Sequence, residues 1–243
     1  MRGAGTLLTA AVLTVAGALR PAEAQGWADW GGVSQADNVA GAAWDGIRAG
    51  GPGAPSSFLD LAARPSDAAP EQFGFAVDEG VRAAALSEVR AMLAERPDLA
   101  GPFGSAAVFG VMAGEQERLG LSPANLADAL TAHLLVVHHA ANARGAVVPS
   151  ATREEAARLR PQVVRALGAA SGGAVPPEAA LQAAADEATL RTALLLVMIG
   201  YAEEAGPEAV AELASLARTR GLESFGVDLT RAALTADGLT PLP

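Results

Sequence analysis

Residues 194–200 read LLLVMIG, seven positions without a charge, inside a stretch that runs from Pro177 to about Ala205. A surface helix would show a polar residue every third or fourth position. A run that is apolar on every side predicts a helix at the centre of a bundle. It is too short to cross a membrane, which takes about 20 apolar residues, and Arg191 and Glu203 bracket it.

Five further segments surround this central helix. In VDEGVRAAALSEVRAMLAERP, Val81, Ala85, Val89 and Met92 recur at three- and four-residue spacing, and Pro97 marks the end. A second segment, roughly Pro102–Leu119, carries Val108, Met112 and Leu119 on one side and closes at Gly120. Ser122, a capping residue before Pro123, opens a third that runs to Gly145. Thr152 with Glu155 forms a capping box at the head of a fourth, which Pro161 is expected to kink or split. After the central helix, Pro207–Arg220 stops at Gly221, and GVDLTRAALTADGLTPLP (226–243) reads as a short helix or irregular tail. Almost nothing has the alternation of a strand. The fold class is all-α, a single-domain bundle of about six helices over residues 71–243, behind a loose N-terminal arm.

The N-terminus carries the signature of export. Arg2 precedes the apolar run Thr6–Leu19, and Ala22 and Ala24 place small residues at −3 and −1 of a cleavage site. Residues 1–24 are expected to be a signal peptide, with no cysteine for lipid attachment, so the mature chain is periplasmic or secreted. Residues 25–70, rich in Gly, Ala and Asp, are expected to form a low-complexity flexible arm. All three tryptophans, Trp27, Trp30 and Trp44, fall on it. Such rings either dock on the folded part or bind something else, and they are candidate ligand- or partner-binding residues.

Composition removes whole classes of chemistry. There are no cysteines, so thiol nucleophiles, Cys-ligated metal and iron–sulfur centres are excluded, as is haem attached through Cys-x-x-Cys-His. A mature chain of about 220 residues can build a core without disulfides. Lysine is absent too, which excludes Schiff bases, Ser–Lys dyads and a phosphate-loop lysine. The formal charge of −10 becomes −11 without Arg2, Arg20 and Glu23. An acidic chain of that kind is repelled by nucleic acid and anionic membranes. No cofactor or metal is implied, and the chain does not read as an integral membrane protein.

Three stretches carry a resemblance: Phe75–Val89, Arg118–Arg144 and Gly226–Leu239. The most specific piece is GLSPANLADA (Gly120–Ala129), followed by a helix ending in Ala141–Asn142. Over about residues 71–240 the chain resembles a bacterial domain-of-unknown-function family of exported, all-helical proteins, which implies no established activity. Where relatives place Tyr and Trp after the Leu-Ala-Asp-Ala run, this chain has His133 and His138. The resemblance therefore implies packing positions that take flat, amphipathic rings.

Those two residues and His139 are all the histidine in the chain. At about 100° per residue, His133 falls within the apolar stripe of Leu126, Leu130, Leu134, Val137 and Ala141. His138 lies at the edge of that stripe and His139 nearly opposite. Chelation from one helix needs a four-residue spacing, and here the spacings are five, six and one. His133 is expected in the core and His139 at the surface. His138, four residues before Asn142, is the one to watch, and both are candidate binding residues.

Glu154–Glu155, Asp186–Glu187 and Glu203–Glu204 point about 100° apart within each pair. They read as a cap, a partner for Arg191 and a helix end. Ser105 lacks a nucleophile-elbow frame, and the glycines of GGPG (50–53) have no following lysine. The leading expectation is a non-enzymatic binding or interaction protein, acting through its arm or a groove of the bundle. The alternative is a metal-assisted hydrolase using His138 with carboxylates from other helices. A homodimer packed through alanine-rich faces is a further possibility.

Overall fold

A computed structural model describes residues 57–243, which form eight α-helices and one β-hairpin. The helices are α1 (Phe58–Ala62), α2 (Glu79–Met92), α3 (Pro97–Ala100), α4 (Ala107–Arg118), α5 (Leu126–Ala141), α6 (Arg153–Ala170), α7 (Glu178–Ala205) and α8 (Pro207–Phe225). The strands are β1 (Ala232–Thr235) and β2 (Gly238–Pro241). The fold is all-α, and six of the helices have 12 residues or more. The expected signal peptide and most of the expected arm, with Trp27, Trp30 and Trp44, lie outside the described residues.

At 28 residues, α7 is the longest of the described helices, and it packs against α2, α4, α5 and α8. Val197, Met198 and Ile199 are buried, as expected of a central helix. Leu194, Leu195 and Leu196 are not fully buried. The run is apolar all round because one side of it faces an opening in the bundle, described below.

The folded unit begins earlier than residue 71. Ser57 caps α1 reciprocally with Asp60, and Phe58 and Leu61 are buried where α1 packs on α6. Residues 66–68 cross α6 so closely that a Cβ at Gly168 would lie 2.2 Å from Ser66 Oγ and 2.4 Å from Ala68 Cβ. The part of the expected arm after residue 56 therefore belongs to the domain. Five residues of helix are too few to show a period, and the Gly/Pro-rich approach to them masks it.

Several expected boundaries move, each for a local reason. α5 is capped by Asn125, not Ser122: Asn125 Oδ1 accepts from Asp128 N at 3.2 Å, and Asn125 Nδ2 donates to Pro70 O at 2.8 Å. The helix ends at Ala141, short of Gly145. Thr152 and Glu155 do form a capping box, but Pro161 does not divide α6, which is continuous. Pro161 and Ala157 are exposed, so the carbonyl deprived of its donor faces water. Gly221 does not stop α8; it lies against Leu229, and the helix ends at Phe225 with Gly226 left-handed (φ 63°).

The C-terminal stretch, expected as a short helix or irregular tail, is an antiparallel hairpin with Thr235 opposite Gly238. Ala236 and Asp237 form the two-residue turn, and Gly238, with φ 99°, opens β2. Gln162 of α6 holds it: Nε2 donates to Leu239 O at 2.9 Å, and Leu239 N donates to Oε1 at 2.8 Å. The amide thus stands in for a third strand. Gln162→Ala strands both backbone groups of a residue 2% exposed, at a cost of about 2–3 kcal/mol. Hydrogen exchange should show the protection of Leu239 N–H lost first, and unchanged protection there would contradict the clamp.

Candidate functional site

His133 projects from α5 toward α7. Its Nδ1 lies 3.0 Å from Thr192 Oγ1, and that hydroxyl donates to Ala188 O at 2.7 Å. Thr192 has therefore spent its proton and accepts, so Nδ1 carries the hydrogen and Nε2 is left as an acceptor. The ring packs 5.9 Å from Phe225 at the end of α8. Burial pushes its pKa down to about 3, with the Arg191 charge adding to the shift. The ring is neutral at any ordinary pH, as a packing residue should be, yet it is not sealed in the core.

Beyond it, a cleft of about 90 Å³ opens between α5, α7 and α8, with α2 at one side. Its walls are apolar: Met92, Leu194, Leu195, Met198 and Leu216. The polar groups are few: His133, Arg191, Arg220 and Ser224. Arg191 pairs with Glu187 at 2.7 Å and Arg220 with Glu223 at 3.2 Å. Burial raises the Glu187 pKa, and the Arg191 charge opposes that shift. Both guanidiniums thus belong to ion pairs that also line an apolar cleft. An apolar pocket with a few convergent polar groups is the ordinary form of a small binding site.

No family model, curated protein or solved structure matches this chain.

The cleft is therefore read from its own residues. The sequence pointed past it: Arg191 stood out only as a partner for Glu187, and Arg220 only as a helix end. The usable signal was Leu194–Leu196 themselves, too apolar for a helix of which one side opens outward.

His138 and Asn142 lie elsewhere and do another job. His138 Nε2 is 3.2 Å from Ala232 O, and a carbonyl only accepts, so Nε2 holds the proton. Nδ1 is buried without a hydrogen-bond partner. Burial lowers the His138 pKa, and the Ala232 hydrogen bond opposes that shift. The side chain of Asn142 does not meet the imidazole. Its Nδ2 donates to two carbonyls, His138 O at 2.9 Å and Leu229 O at 3.0 Å. Both residues stitch the end of α5 to the segment that leads into β1.

His139 is not the plain surface residue expected. Its side chain is 13% exposed and Nε2 lies 3.2 Å from Glu155 Oε2. Glu155 itself is committed to capping Thr152. Among the described residues no group of three or more His, Asp or Glu side chains is arranged to hold a metal ion. Two carboxylates of the adjacent acidic pairs are engaged as well. Asp186, whose pKa burial raises, accepts from Gln182 at 3.1 Å, and Glu203 accepts from Val148 N at 2.8 Å. Ser105 accepts from Ala107 N at 3.3 Å, a local turn.

A larger open groove of about 580 Å³ runs beside α6, with Arg153, Arg160 and Arg165 along it. Each already donates to the protein: Arg153 to the carbonyls of Arg118 and Glu117, Arg160 to Asp128, and Arg165 to the carbonyl of Ala62. No helix among the described residues is long and apolar enough to cross a membrane.

Proposed function

We propose that this chain is an exported, non-enzymatic binding protein, and that the cleft between α5, α7 and α8 seats an apolar group bearing a negative charge. One observation carries the reading. Leucines in the middle of the longest described helix stay partly exposed, beside two arginines, where a bundle would otherwise close over them. Export is supported by Arg2, the run Thr6–Leu19 and the small residues Ala22 and Ala24. Kinship with the exported helical family that Gly120–Ala129 resembles belongs to the same proposal. The hydrolase alternative draws no support from His138, whose Nε2 is engaged with a backbone carbonyl. No observation favours a homodimer.

Hexanoate, a short chain with a carboxylate, is the probe that tests the site, and hexan-1-ol is its uncharged control. Calorimetric titration should find hexanoate bound about tenfold more tightly, the effect of one charge-assisted hydrogen bond. Leu194→Asp should abolish the binding, and His138→Ala should leave it intact. Absence of binding, or binding indifferent to Leu194→Asp, would overturn the proposal.

A further inference from the structure

We infer that the open groove beside α6 is a second binding site, which takes an extended peptide carrying two acidic side chains four positions apart. It is separate from the cleft between α5, α7 and α8, and three features of the groove lead to it.

The first is its charge. The chain carries a formal charge of −10, yet three arginines and no acidic residue line this face. Arg160 has its charge answered by Asp128. The other two are held by neutral groups. Arg153 donates to the carbonyls of Arg118 at 3.3 Å and Glu117 at 3.1 Å, and Arg165 donates from Nε to the carbonyl of Ala62 at 3.3 Å. A carbonyl fixes a guanidinium in place without cancelling its charge, and each guanidinium has five N–H groups to give. Among the described residues Arg165 commits only Nε, which leaves its terminal nitrogens for the paired hydrogen bonds that a carboxylate accepts. Both side chains are already ordered, so a ligand meets their charge without having to immobilise them.

The second is spacing. Arg153, Ala157, Pro161, Val164 and Arg165 all line the groove from one side of α6. Arg153 and Arg165 are twelve positions apart, about 18 Å along the helix axis. An extended peptide advances about 3.3 Å per residue and turns alternate side chains to the same side, which sets its first and fifth side chains about 13 Å apart. The reach of glutamate and arginine side chains covers the remainder. The third side chain of the peptide faces the same way, over the buried Leu121 and Val164 between the arginines.

The third is an acceptor. Pro161 has no N–H, so the Ala157 carbonyl lacks its helical donor, and both residues are exposed in the groove. A carbonyl placed between two cationic ends calls for an N–H, which a peptide backbone supplies and a simple dicarboxylate does not. The volume of about 580 Å³ is that of a ligand cleft.

Calorimetric titration of the full chain with acetyl-Glu-Ala-Leu-Ala-Glu-amide tests the site. Its glutamine counterpart, acetyl-Gln-Ala-Leu-Ala-Gln-amide, is the uncharged control. The acidic peptide should bind about tenfold more tightly, and rising salt should erode the difference. Arg165→Gln should weaken binding several-fold. Ala157→Glu adds a carboxylate at an exposed helical position, where the fold tolerates it, and should weaken binding at least as much with unchanged circular dichroism. Excess hexanoate should not compete. Equal binding of the two peptides, no binding of either, or binding that ignores both variants overturns the inference. Competition by hexanoate would place the peptide in the cleft and overturn it as well. Decanedioate, a dianion without an N–H, should bind more weakly than the acidic peptide, and equal affinity would rule out a peptide as the matching class.

Discussion

Arg160→Met is expected to destabilise the fold by about 4 kcal/mol, more than any surface substitution could. Arg160 donates from Nε and Nη2 to both carboxylate oxygens of Asp128, which is 1% exposed. Asp128 also accepts from Ser122 N at 2.8 Å, so the carboxylate joins the loop before α5 to the side of α6. Removing one partner of a buried pair costs about 3–5 kcal/mol because the other charge is left desolvated. The two ends of this pair differ. The Arg160 side chain is 34% exposed and can turn to water, whereas Asp128 cannot. Asp128→Ala should therefore cost less, about 3 kcal/mol, and Asp128→Asn less again, since its amide oxygen can still accept from Ser122 N. The Arg160→Met, Asp128→Ala double variant should lose clearly less than the sum of the single losses. Urea unfolding of the four chains checks this, and additive losses would show that the pair contributes no coupling.

Acid is expected to cost the wild type about 3 kcal/mol more than His133→Phe on going from pH 7.5 to pH 4.5. The His133 pKa falls to about 3 in the fold, from 6.5 when exposed, chiefly through burial and then through Arg191. A depressed histidine contributes no penalty above pH 6.5, where both states are neutral. Below it the unfolded chain takes up a proton that the folded chain refuses, so stability falls with pH until the folded pKa is reached. Two units of that window amount to about 3 kcal/mol. His133→Phe keeps a flat ring against Phe225 and removes the titration. Asp186 and Glu187, whose pKa values burial raises, act in the opposite direction, and His138 in the same one. All three are present in both chains and cancel in the comparison. Equal acid losses in the two proteins would contradict a neutral, buried His133.

The long helices were legible because their periods and caps are local properties. Thr152–Glu155 forms its box, and Glu187 finds Arg191 one turn away, as spacing alone predicts. The misreadings share a cause of a different kind. Ser122 looks like a cap until Asp128 takes its N–H, and the hairpin looks like a tail until Gln162 supplies its missing edge. Pro161 would break a buried helix but not one that turns its unpaired carbonyl to solvent. Each answer depends on what surrounds the residue in the fold: a carboxylate six residues on, a glutamine 77 residues back, or water. The candidate site was the least legible part, because the cleft exists only where α5, α7 and α8 fail to meet. The GLSPANLADA run, its most distinctive stretch, proves to be a clamp. Gly120 turns left-handed (φ 77°), Asn125 ties back to Pro70, and Asp128 holds Ser122 and Arg160.

α6 receives both ends of the described chain. Arg165 donates to Ala62 O across 103 residues, and Gln162 pairs with Leu239 across 77. Its own turns form locally, but its neighbours must return from the start and the finish of the domain. Closing loops of that size costs entropy before any contact rewards it. For a domain whose described residues are mostly helical, completion of the fold is therefore set by two distant encounters on one helix, and assembly is slower than helix content alone would suggest.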